Sequence, residues 1–316
     1  MKPKVSVIIP TFNRLDILPE TLAALERQEG PRGFFEVLLI DDGSTDATWS
    51  FLGQFASTMT LTLNLRRQTA LGPAAARNWG IEQAQGELAL FLDADIIAQP
   101  DVVRRHWQRY ESQRQKRCGW MGRIETGETI DRWQTFRWDE FALDEAGGPD
   151  QPISWSRYRT PNSAWPLALL REMGGFDARF MVAEDRELAY RLAETGAELF
   201  YDREILAYHH HLISYNSLIA KAHLYGVAAA KWYFIHPEDR SGLAERLGLY
   251  VDEMPAPNKR HYRLKRLGIN VLTLPLLRAW VALMRRRKHP AADRGVHWLY
   301  RYYVSTSFRA ALKRYR

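Results

Sequence analysis

Two aspartates one residue apart, Asp93 and Asp95, directly follow the fully apolar run Leu88-Ala89-Leu90-Phe91-Leu92. Carboxylates at i and i+2 leaving a buried strand can converge on one hard cation. Mg²⁺ and Mn²⁺ favour such oxygen ligands and commonly share their coordination with substrate phosphates. Two further apolar runs also end in polar, turn-forming residues. Residues 5–9 run into Pro10-Thr11-Phe12-Asn13-Arg14, and residues 37–40 into Asp41-Asp42-Gly43-Ser44. In an open parallel sheet, ligands bind in the crevice beyond the carboxyl ends of the strands. Three polar strand ends therefore point to one site.

The stretch Gly72-Pro73-Ala74-Ala75-Ala76-Arg77-Asn78 opens a helix with small residues that allow close backbone approach. Arg77 sits one turn in, where a guanidinium reaches a phosphate or a base. The same residues also describe a helix packed on a sheet with a surface arginine. Farther on, Glu184 and Asp185 begin a predicted helix, 184–194. On their own they read as first-turn acids favoured by the helix dipole. Consecutive helical residues do not face alike, so the two are not both bases at one site. His209-His210-His211 follows the apolar run 205–208. In an extended segment His209 and His211 share a face and His210 points elsewhere; metal-ligating, pocket-lining and surface readings all stay open.

The elements needed to position these groups alternate between strand and helix. Strands are predicted at 5–9, 37–40, 61–65 and 88–92, and helices follow through Leu15–Leu25, Trp49–Phe55 and 72–84. Such alternation predicts a mostly parallel sheet covered by helices on both faces. A helix continues from Pro100 to about Arg117; residues 118–165, rich in Trp, Arg and Gly, read as irregular, either a cleft lining or a satellite core under loops. Helical patterns return at 166–173, 184–194 and 217–234.

The 316 residues, 46% hydrophobic and 26% charged, exclude a disordered, collagenous or coiled-coil chain. A lone cysteine, Cys118, excludes a disulfide framework and a cysteine-based metal site. No cleavable signal pattern and no run of eighteen apolar residues is present, so the expectation is a cytoplasmic protein. The net charge of +7 is uneven: residues 259–316 hold 16 Lys and Arg against one acid, Asp293. A uniformly basic nucleic-acid binder would not divide this way, and no nucleic-acid partner is expected. Apolar and aromatic residues at 268–284 and at Trp298, Tyr300, Tyr302 and Tyr303 accompany these charges. They suit either a peripheral anchor on the anionic inner face of the cell membrane or a helical subdomain with a solvated basic face.

Taken together, the segments 5–14, 39–46, 72–81, 90–95, Gly174-Gly175-Phe176-Asp177 and Ala183-Glu184-Asp185 resemble the family-two glycosyltransferases of GT-A fold, in the order found there. The resemblance covers roughly residues 4–211. It implies an α/β, Rossmann-like GT-A catalytic domain over 1–211, followed by a helical C-terminal region over 212–316. It further implies an inverting, metal-dependent transfer from a nucleotide diphosphate sugar, a UDP-sugar favoured, to a saccharide or lipid-linked acceptor in cell-surface polysaccharide or glycolipid synthesis. By the resemblance, Pro10, Thr11 and Arg14 line the nucleotide site, Asp42 bonds the base, and Arg77 lies nearby. Asp93 neighbours the ribose and the metal, Asp95 binds Mn²⁺ or Mg²⁺, and His209 aligns as a further ligand. Asp185 is the general base, and Glu184 supports the acceptor or the base. Two other functions share parts of this pattern. A sugar-nucleotide nucleotidyltransferase would want a Gly- and Lys-rich phosphate loop where Pro10-Thr11-Phe12-Asn13-Arg14 stands, and a non-catalytic nucleotide-sugar-binding protein would not need Asp185.

Overall fold

Short, mostly apolar segments, each closed by a polar turn, form the first four strands of a nine-stranded sheet in the computed structural model. It describes residues 2–56, 60–126, 148–210, 215–247, 249 and 270–315. These residues divide into two compact units, one within 2–210 and the other within 215–315.

In the first unit, β1 (Val5–Thr11), β2 (Phe35–Asp41), β3 (Leu63–Arg67) and β4 (Leu88–Phe91) alternate with α1 (Leu18–Glu26), α2 (Thr48–Phe55) and α3 (Pro73–Gln83). They pair in parallel in the order β3-β2-β1-β4. Side chains alternate across each strand, which builds two cores. Val5, Val7 and Ile9 pack with Leu18, Leu22 and Leu25 of α1, whereas Ile8 packs with Ala74, Ala76 and Ile81 of α3. Helices therefore cover both faces.

The chain continues through β5 (Ile96–Ala98), α4 (Val102–Ser112), β6 (Cys118–Thr126), β7 (Pro152–Ile153), β8 (Ser163–Pro166), α5 (Leu167–Glu172), α6 (Glu184–Glu194) and β9 (Glu198–His209). The sheet extends as β4-β8-β6-β9-β5, with β7 against β9. Pairing is parallel between β6 and β9 and antiparallel at the other joins, so the whole is a mixed α/β sheet. Where described, residues 118–165 thus supply central strands, not the irregular stretch the sequence suggests; residues 127–147 lie outside the described residues.

One buried side chain organises this half. The β6–β9 ladder shifts register between Gly122 and Arg123. Asn162 fills the break: its Nδ2 donates to the carbonyls of Arg123 and Ile205 at 3.1 and 2.9 Å. Its Oδ1 lies 3.0 Å from His106 Nε2. Because Nδ2 is the donor, Oδ1 must accept, so His106 carries its proton on Nε2. A β-carbon on Gly122 would come within 2.2 Å of Asn162 Nδ2, which explains a glycine inside a strand.

The second unit is helical: α7 (Tyr215–Ile235), α8 (Arg240–Leu247), α9 (Leu274–Arg286) and α10 (Ala291–Tyr315). α7 lies close along α10, where Gly226 leaves room for the Val304 carbonyl and His223 Nδ1 meets Ser307 Oγ at 2.7 Å. α9 rests on α10 through Val281, which faces Gly295. No described helix is long and apolar enough to cross a membrane.

Candidate active site

The carboxyl ends of β1, β2 and β4 meet at one edge of the sheet. Asp42 N–H donates to the Thr11 carbonyl at 2.8 Å, and Asn13 N–H to Ser44 Oγ at 2.8 Å. Asn13 adopts a left-handed φ of 51°, which asparagine tolerates, and its Oδ1 accepts from Thr45 N–H at 2.8 Å. These bonds lock the first polar turn against the second.

Asp42 shapes the third segment. Its carboxylate accepts from Gln68 Nε2 (2.7 Å) and the N–H groups of Leu71 (2.8 Å) and Gly72 (2.9 Å), the turn that opens α3. A carboxylate has about four lone-pair sites, so acceptor capacity for a base remains. The turn also brings Met181 over Gly72. Pro10 is half-buried, and Thr11 is buried at the end of β1.

Arg77 is the centre of the crevice. Buried one turn into α3, it donates from Nη2 to Asp93 at 2.8 Å and from Nη1 to Glu184 at 2.7 Å. It thereby joins the end of β4 to the start of α6, the latter 107 residues beyond Arg77 in sequence. Burial alone would lower its pKa; Asp93 and Glu184 outweigh that and hold the guanidinium above its usual range. Burial pushes the Glu184 carboxyl up, Arg77 draws it back, and Asp185 adds to the rise, leaving it above the usual carboxylate range. Glu184 is thus turned inward. Asp185, half-buried, accepts at Oδ1 from Arg186 N–H at 2.7 Å.

Asn78 supplies the frame. Its Oδ1 accepts from Phe176 N–H at 2.7 Å and its Nδ2 donates to Phe176 O at 2.8 Å. Phe176 then stands edge-on to Phe91 of β4, ring centroids 5.3 Å apart, with Arg77 over its own ring. Gly175, at a φ of +70°, permits this clamp: a β-carbon there would meet Asn78 Oδ1 at 2.4 Å. Ala183 caps α6 in the left-handed conformation, φ 63°, just before Glu184 and Asp185.

The other aspartate has different company. Asp95 is buried, pairs with Arg14 Nη2 at 2.9 Å, and lies 3.5 Å from His209 Nε2. The β5–β9 ladder, in which Ile96 faces His209, makes that approach. His210 is exposed, and His211 lies outside the described residues. Among the described residues no cluster of three or more His, Cys, Asp or Glu is arranged to hold a metal. A two-ligand set of one carboxylate and one imidazole still fits a divalent ion that completes its shell with diphosphate oxygens and water.

The structure therefore brings together Arg14, Asp42, Arg77, Asp93, Asp95, Glu184 and His209 through direct contacts or shared turns. Asp93 pairs with Arg77, and Asp95 pairs with Arg14 and lies beside His209. Sequence reasoning missed Asn13 and Asn78, whose side chains clamp backbone across 32 and 98 residues. Asparagine before a turn or at a helix opening was the available signal.

Residues 6–168 match the model of the family described as Glycosyl transferase family 2. The chain belongs to this family. Validoxylamine A glucosyltransferase from Streptomyces hygroscopicus subsp. jinggangensis is 28% identical over 228 residues, 64% of this chain and 54% of that protein. The chain spans about half the length of the relatives it matches in this way. Among solved structures, Staphylococcus aureus TarS 1–349 in complex with UDP aligns with a TM-score of 0.53 at 19% identity, covering 99% of this chain and 91% of that one. Mannosyltransferase PcManGT from Pyrobaculum calidifontis, in complex with GDP-Man and Mn²⁺, aligns with a TM-score of 0.63 at 19% identity over 98% and 88%. At these identities the structural likeness speaks to fold, and that fold is GT-A.

Proposed function

We propose that this family-2 chain is an inverting glycosyltransferase that moves a sugar from a nucleotide diphosphate sugar to an acceptor hydroxyl. The observation that carries the reading is Arg77, whose buried guanidinium pairs with the strand-end aspartate Asp93 and with Glu184 on the helix that also presents Asp185. One arginine thus links the donor side of the crevice to the side where an acceptor would be deprotonated. A UDP-sugar is the favoured donor, since TarS has been solved with UDP and with UDP-GlcNAc. The acceptor is a saccharide, free or lipid-linked, in cell-surface polysaccharide or glycolipid synthesis.

In this mechanism Pro10, Thr11 and the Asp42 turn receive the nucleotide. Asp95 and His209 would hold a Mn²⁺ or Mg²⁺ ion, which supplies Lewis-acid stabilisation of the departing diphosphate. Asp185, the outward-facing acid of its pair, takes the proton from the acceptor hydroxyl. The acceptor oxygen bonds the anomeric carbon as the bond to the diphosphate breaks, and the nucleoside diphosphate leaves. A single displacement inverts the anomeric centre. Glu184 is engaged by Arg77 and holds the start of α6 in place.

Asp185→Asn tests the assignment. It should keep donor affinity, read by thermal shift, while transfer falls about 10²–10⁴-fold, the usual contribution of a general base. Loss of donor affinity with undiminished turnover would remove Asp185 from the proton-transfer role.

A further inference from the structure

We infer that α9 and the exposed face of α10 form a docking surface for an anionic lipid bilayer. The inference rests on the exposure of the second unit alone and stands apart from the catalytic reading.

α9 is apolar on two sides. One side, through Val281, is buried on α10. The other lies in solvent: Leu272 is 85% exposed, Leu276 73% and Leu283 43%. Leu276, Ala279 and Leu283 recur at spacings of three and four within α9 and form one ridge, and Leu272 lies exposed in the turn just before the helix. A helix apolar on two sides calls for a second apolar neighbour, and a soluble surface rarely leaves such a ridge bare. Trp280 and Val271 widen it, at 37% and 76% exposure.

Charge decides between occupants. The ridge ends in Arg285-Arg286-Arg287-Lys288, of which the last three are exposed. On α10 exposed Trp298 stands between exposed Arg294 and Arg301, one turn to either side. Residues 270–315 hold ten Lys and Arg against a single acid, Asp293. A second copy of this chain would bring the same cations to the contact, with one acid over 270–315 to meet them. An anionic bilayer meets both features at once, taking Leu and Trp side chains into the acyl boundary and the cations among its headgroups. The length argument agrees: α9 has 13 residues, too few to span, but enough to lie in the interface plane.

The test is flotation of the full chain with vesicles of phosphatidylcholine alone or mixed with phosphatidylglycerol, without sugar substrates. The wild type should float with the anionic vesicles, stay behind with the neutral ones, and be released as salt rises. Arg286→Gln/Arg287→Gln/Lys288→Gln should lower partitioning about a hundredfold, at about fivefold per charge. Leu276→Asp/Leu283→Asp, at exposed positions, should lose flotation with an unchanged melting temperature. Equal binding to neutral and anionic vesicles, or none to either, would overturn the inference. So would flotation retained by the Leu276→Asp/Leu283→Asp variant, or a concentration-dependent dimer that this variant abolishes while wild type ignores vesicles. Donor turnover in detergent-free buffer without vesicles reports on the catalytic reading separately.

Discussion

Replacing Arg77 with methionine keeps the side-chain length and removes the charge that two carboxylates share. Asp93 is partly exposed and can be hydrated, but Glu184 is buried and cannot. Breaking a buried pair by deleting one partner costs about 3–5 kcal/mol, because the other charge is left uncompensated. For a protein of this size that is about 10 °C in melting temperature, at about 2–4 °C per kcal/mol. The loss should depend on pH. Without Arg77, burial and the Asp185 charge both raise the Glu184 pKa and nothing in its pair draws it back. A carboxyl whose folded pKa lies above its unfolded value binds more protons when folded. Its stability contribution is therefore complete below about pH 4.5, its ordinary value, and is lost as pH rises through the folded value. Arg77→Met should accordingly be least destabilised at acid pH and most at pH 8, and Arg77→Met/Glu184→Gln should recover most of the loss and flatten the profile. Urea unfolding across pH measures both. A loss under about 1 kcal/mol, the range of an exposed pair, or a loss independent of pH, would refute the buried bridge.

Two other positions test the frame. His106 is fully buried with its pKa lowered to about 4 by burial, against an ordinary 6.5. The unfolded chain then binds the extra proton first, so stability should fall by about 3 kcal/mol as pH drops through that window, and His106→Gln should lose the dependence. Gly175→Ala should cost about 2 kcal/mol or more from its left-handed φ and its clash with Asn78, and should lower transfer; Gly174→Ala, with open space around its β-carbon, should cost only the backbone strain. Equal effects of the two substitutions on transfer would argue against the Asn78 clamp.

β1, β2 and β4 were legible as short apolar runs closed by Pro or Asp, β3 by its alternation of Leu with Thr and Asn, and the helix at 184–194 because its acids and apolar spacing agree. β6 was not, since residues 118–165, rich in Trp, Arg and Gly with Gly119 and Gly122 among them, read as irregular. Both are glycines because a neighbour occupies the space of a β-carbon, Trp165 at 2.3 Å and Asn162 at 2.2 Å. Such long-range packing leaves no local trace. The apolar character of 268–284 was visible in sequence, yet only the structure separates the side of α9 buried on α10 from the side in solvent. Likewise, spacing pairs Asp93 with Asp95, but the fold gives them different partners, Arg77 and Arg14.

The central claim is transfer by a single displacement at this crevice. The most direct measurement supplies an α-linked UDP-sugar panel, Mn²⁺ and a saccharide acceptor panel to the purified chain, and reads the new linkage by NMR. The account predicts a β-linked product with release of UDP, and loss of that product in Asp185→Asn. An α-linked product, or one that forms undiminished in Asp185→Asn, would contradict it.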